Sequence, residues 1–68
     1  MASGVVKWFN ATKGFGFIKP DDGGKDVFVH ITAVQRAGMG TLTEGQRLNY
    51  NIVDDRKGQK AEDLQQVG

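Results

Sequence analysis

The sequence predicts a small all-β domain, and three observations predict it. Four segments, 5–10, 13–18, 26–31 and 47–53, are built from β-branched, aromatic and glycine residues in short runs. The stretch Asp21-Asp22-Gly23-Gly24-Lys25 separates two of them, and its Asp-Gly and Gly-Gly steps are a strong hairpin signal. No segment has both the length and the periodicity of a long helix. Four or five short strands with so little helix must close into a barrel or a small sandwich to hide their edges.

The first strand is Val5-Val6-Lys7-Trp8-Phe9-Asn10. Strict alternation puts Val6 and Trp8 on one face and Val5, Lys7 and Phe9 on the other. A bulge near Lys7-Trp8 would resolve the conflict between Trp8 and Phe9, and a plain core role for Trp8 is the alternative. Asn10-Ala11-Thr12-Lys13 connects to the second strand, which Pro20 should end because proline cannot donate to a ladder. After the third strand Thr32 offers an N-cap for one helical turn at most, before Gly38. Met39, in the loop that follows, is either a lid over the core or a soft apolar contact for a ligand. Arg47–Val53 alternates cleanly, with Leu48, Tyr50 and Ile52 inward. Asp54-Asp55-Arg56-Lys57-Gly58-Gln59 reads as a polar turn, and turn chemistry accounts for its paired aspartates better than a metal does. In the C-terminal segment Ala61, Leu64 and Val67 recur every three residues, which on local evidence is one or two turns of helix.

The middle strands carry the unusual pattern. In Lys13-Gly14-Phe15-Gly16-Phe17-Ile18 the phenylalanines share a face with lysines, and Gly14, Gly16 and Ile18 take the other. In Asp26-Val27-Phe28-Val29-His30-Ile31 the aliphatics share one face, and Asp26, Phe28 and His30 the other. A lone phenylalanine at alternating spacing is ordinarily core. Here both strands already offer an aliphatic or glycine face to bury, and 68 residues cannot bury both faces of a hairpin. Phe15, Phe17, Phe28 and His30 should therefore form one solvated patch. Aromatic rings interleaved with cations are what single-stranded nucleic acid needs, faces for bases and charge for phosphates.

The 68 residues make one domain, 1–68, with room for one small core. One His and no Cys rule out disulfides and the usual zinc sites, so no metal and no cofactor are expected. Nine Lys+Arg against eight Asp+Glu leave a net charge of +1, low for a protein that grips duplex DNA through its phosphates. The start of the chain lacks the basic flank and apolar stretch of a signal peptide, and no apolar run is long enough for a membrane, so a cytoplasmic location is expected.

These residues resemble the cold-shock domain, from Gly4 nearly to the end of the chain. Lys13–Ile18 is similar to its first ribonucleoprotein motif, Val27–His30 to its second, and Lys7-Trp8-Phe9-Asn10 to its first strand. The RNA-recognition motif shares the hexamer but wants an aromatic at Pro20 and two packed helices, and is rejected. The resemblance implies a five-stranded antiparallel oligonucleotide/oligosaccharide-binding (OB-fold) barrel, with the C-terminal segment as a fifth strand instead of a helix. It implies a non-enzymatic, free-standing protein that binds single-stranded RNA or single-stranded DNA and acts as an ATP-independent RNA chaperone, with effects on transcription termination or translation; a monomer is expected, though the sequence does not fix the oligomeric state. Its stacking platforms would be Trp8, Phe15, Phe17, Phe28 and His30, with Lys7, Lys13 and Arg56 serving phosphates or base edges. Ile31 and Met39 stand where many members have aromatic residues, which weakens that end of the platform.

Two other classes compete. A small barrel could dock a protein or an oligosaccharide on its aromatic face. An enzyme is disfavoured, since no nucleophile–base pair is visible and no GxxxxGK[ST] loop is present for ATP.

Overall fold

The computed structural model describes residues 1–67. It contains β1 (Ala2–Asn10), β2 (Phe15–Pro20), β3 (Val27–His30), α1 (Ile31–Arg36), β4 (Arg47–Asp55) and β5 (Gly58–Gln66). The strands close into a barrel in the order β1-β2-β3-β5-β4. Four of the five contacts are antiparallel, but β3 and β5 run parallel and meet at a single bridge, Phe28 opposite Lys60. The expectation of a wholly antiparallel barrel is corrected at this seam. Parallel neighbours need a crossover. Here α1 and β4 supply it, returning the chain so that β5 arrives alongside β3 in the same direction.

The interior is aliphatic. Val6, Ile18, Val27, Val29, Val34, Leu48 and Tyr50 are fully buried, joined by Ala61 and Leu64 from β5. Strand β1 reaches this core through a bulge: Val6 faces Ile18 and Trp8 faces Phe17, leaving Lys7 as the extra residue. Val6 thus stays inside while Lys7 and Trp8 both face out, and the core reading of Trp8 falls. Gly16 lies opposite Phe9. A Cβ there would come within 2.7 Å of Phe9 Cα and 2.8 Å of its Cδ1, and would press on the Trp8 carbonyl. The missing side chain lets Phe9 lean over β2 and pack against the core.

The C-terminal segment is a strand, and a second bulge explains why it reads locally as helix. Asn51 pairs with Glu62 and Asn49 with Gln65, so Asp63 and Leu64 together oppose the single residue between. Asp63 takes φ +52°, the one positive value at a non-glycine among the described residues. Its Oδ2 accepts from Asn51 Nδ2 at 3.0 Å. The extra residue shifts the alternation by one, so Ala61 and Leu64, three apart, both point inward. Val67, third in that series, is 40% exposed.

Two smaller expectations also change. The inward expectation for Ile52 is corrected: it is 41% exposed although its partner across the ladder, Ala61, is buried, and beyond this pair β4 and β5 run on as an exposed ribbon to Asp55 and Gly58. The cap of α1 is His30 instead of Thr32, and the helix runs six residues, more than one turn. Met39 lies half-buried against the core, as a lid does.

The Tyr50 hydroxyl is buried with no hydrogen-bond partner among the described residues. Burial pushes its pKa up, and the Asp22 and Asp21 charges add to the shift. An unsatisfied buried hydroxyl costs about 1–3 kcal/mol. Tyr50→Phe should therefore raise stability, by about 1 kcal/mol in denaturant titrations.

Asp21 joins three elements at the opposite end of β2. Its Oδ2 accepts from Ser3 Oγ at 2.9 Å and from Arg47 Nη1 at 2.7 Å. These two bonds, the Ser3 one foremost, lower the Asp21 pKa. A depressed carboxylate stabilises the fold above its unfolded pKa of about 3.9 and loses that contribution as pH falls through the folded value. Asp21→Asn should flatten the acid limb of the stability profile below the ordinary carboxylate range, while leaving its shape near neutrality unchanged.

Candidate nucleic-acid interface

On the outer face of the barrel, the registers align one row across four strands. Trp8 on β1 faces Phe17 on β2, Phe17 faces Phe28 on β3, and Phe28 faces Lys60 on β5. A second row runs Asn10, Phe15, His30. Cross-strand neighbours on one face sit within contact distance, so the five rings form one network. Centroid distances are 5.4 Å for Trp8–Phe17, 5.6 Å for Trp8–Phe15, 5.9 Å for Phe17–Phe28, 5.8 Å for Phe15–Phe28 and 6.3 Å for Phe28–His30. Their planes are tilted or edge-on, the arrangements that ring quadrupoles favour. Trp8 is 37% exposed, His30 is exposed, and the three phenylalanines are half-buried against one another. The buried sides of these strands are the glycines and aliphatics, as the alternation predicts.

The expected cations are placed differently from one another. Lys7 Nζ lies 2.9 Å from Asp26 Oδ2, in a pair exposed on both sides. Exposed pairs contribute little, so a phosphate can exchange with Asp26. Lys13 is exposed in the turn from β1 to β2, where its amide donates to Asn10 Oδ1 and the next residue, Gly14, takes φ +84°. Arg56 sits in the exposed turn between β4 and β5. The structure brings Lys57, Gln59 and Lys60 beside the rings instead, lining a groove of about 380 Å³ with Phe28 and His30. Lys60 Nζ is 3.7 Å from Asp55 Oδ2. These three escaped the sequence reading because they reach the aromatic row only through the parallel seam. The one local hint was the pair of lysines around Gly58-Gln59.

The His30 ring is tied to the start of α1. Its Nδ1 accepts from the Thr32 amide at 3.2 Å, capping α1, and lies 3.0 Å from Thr32 Oγ1.

The 'Cold-shock' DNA-binding domain family model matches residues 2–67. The chain belongs to the cold-shock domain family. It is 64% identical over 67 residues to a probable cold shock protein of Sinorhizobium fredii, covering 96% of this chain and 97% of that protein. It is 66% identical over 61 residues to cold shock protein CspA of Rhizobium meliloti, covering 90% and 88%. It is 59% identical over 58 residues to cold shock-like protein CspE of Escherichia coli, covering 85% and 84%. Cold-shock domains bind single-stranded nucleic acid and are not enzymes. Among the described residues of this cold-shock domain no helix is long and apolar enough to cross a membrane.

Proposed function

We propose that this cold-shock domain binds single-stranded RNA or DNA by stacking bases on Trp8, Phe15, Phe17, Phe28 and His30. Lys7, Lys13 and Arg56 serve the phosphates, and Lys57 and Lys60 join them from the neighbouring groove. The observation that carries this reading is the unbroken five-ring network on one face, with cations at its rim. Each stacked base contributes about 1–3 kcal/mol and any base will serve. Three or four such platforms, less the cost of ordering the strand, give an affinity of about micromolar or tighter.

The action is passive. A protein that binds open strands and not paired ones shifts the pairing equilibrium by mass action, so RNA hairpins melt without ATP. The reading is of one domain, a cytoplasmic monomer that keeps transcripts open, since a single barrel already carries the whole platform.

Matched single-stranded RNA, single-stranded DNA and duplex of one sequence test it through the Trp8 fluorescence. Both single strands should bind and the duplex should not. Tighter binding of a proline-rich peptide or an oligosaccharide than of a heptathymidine would favour a protein- or sugar-docking barrel. The salt dependence discriminates further. With two to four phosphates neutralised, the log–log slope should lie at about −1.4 to −2.8. A slope near −6 would mean that charge and not stacking carries the binding.

A further inference from the structure

The ring of His30 serves two elements at once. It closes the aromatic network at the β3 end, 6.3 Å from Phe28, and it caps the helix that begins at the next residue. Histidine is an unusual cap, since the preferred side chains are Ser, Thr, Asp and Asn. Here Nδ1 receives the Thr32 N–H at 3.2 Å, with Thr32 Oγ1 at 3.0 Å from the same nitrogen. A nitrogen that accepts a backbone N–H carries no proton in the neutral ring, so the hydrogen resides on Nε2. The base of this arrangement does not move freely. Ile31 N–H donates to the Gly14 carbonyl at 2.8 Å, and Ala33 and Val34 are buried in the core. The helix is thus fixed to the barrel at the residues flanking Thr32.

We propose that Thr32 is a positioning residue of the nucleic-acid face. With its amide and its hydroxyl both at Nδ1, it holds the His30 ring in one orientation and one tautomer, presenting a stacking face and an Nε2–H donor to the ligand. The inference rests on the stacking function proposed above. An oriented ring loses less freedom when a base lands on it, and pre-organisation of that kind appears as affinity. The Nε2–H fits an acceptor on the ligand, a phosphate oxygen or a base carbonyl.

Thr32 is exposed, so Thr32→Val keeps the shape and removes only the hydroxyl. Its affinity for heptathymidine should fall about threefold, and Thr32→Ser should restore it. In a His30→Ala background Thr32→Val should cost nothing, because the residue acts through the ring. Ring ¹⁵N spectra of the unliganded protein should show Nε2 protonated and Nδ1 as an acceptor. Unchanged amide shifts for Ala33 and Val34 in Thr32→Val show that the helix persists. An Nδ1–H signature in the unaltered protein would overturn the inference, as would equal loss on the His30→Ala background. Unchanged Thr32→Val affinity beside tight binding by the unaltered protein would remove this inference alone. Absence of any binding by the unaltered protein would remove the stacking function as well.

Discussion

Phe15→Ala, Phe17→Ala and Phe28→Ala should each weaken oligonucleotide binding about tenfold or more, with the barrel still folded. A stacked base contributes about 1–3 kcal/mol, and each 1.4 kcal/mol is a factor of ten. The three rings are also mutually supporting, since each lies within 6.5 Å of three others in the network. Truncating one loosens its neighbours, so double variants should lose less than the sum of their parts. Folding survives because the core is on the other side of the same strands, made by Ile18, Val27 and Val29. Fluorescence or calorimetric titration beside a denaturant curve checks both halves. Variants that unfold yet keep residual affinity would contradict a platform role.

Gly16→Ala should produce the opposite outcome, a large loss of stability at a residue with no side chain to bind anything. The added Cβ meets backbone on one side and the Phe9 ring on the other, at 2.7 Å and 2.8 Å from Phe9 atoms. Neither side can swing away as the tip of a lysine can. Overpacking against a fixed partner costs about 3 kcal/mol, a large share of what a domain this small holds in reserve. In a melting experiment that is a fall of about 12 °C or more. Gly40→Ala is the control: nothing lies within 4 Å of a Cβ there, so its midpoint should stay near that of the unaltered protein.

The aromatic face was legible because β2 and β3 each carry a second set of residues that fits a core. Once Val27, Val29 and Ile18 are assigned inside, Phe15, Phe17 and Phe28 have only the outside left. What local pattern hid was wherever two strands fall out of step. Trp8 is outward only because Lys7 is an extra residue, and a bulge leaves no mark in composition. Leu64 shares a face with Ala61 only because Asp63 breaks the alternation, which makes a strand imitate a helical period. Ile52 keeps perfect strand spacing and pairs with buried Ala61, yet it is exposed at the margin of the core, and spacing says nothing about where a core ends. Lys57 and Lys60 belong to the rings through contact between strands far apart in the chain. The parallel direction of β5 was hidden for the same reason. The family resemblance corrected the C-terminal helix, and it did so without explaining why the local pattern misleads.

The closing seam has a consequence for how the barrel comes apart. Strands β1 and β4 share four paired positions, whereas β3 and β5 share one. Separating the three-stranded meander from the long hairpin therefore breaks fewest cross-strand links along the line between Phe28 and Lys60. That line passes through the stacking row itself. A polynucleotide lying across it would touch both banks, so the cargo becomes a splint over the weakest joint of its own carrier.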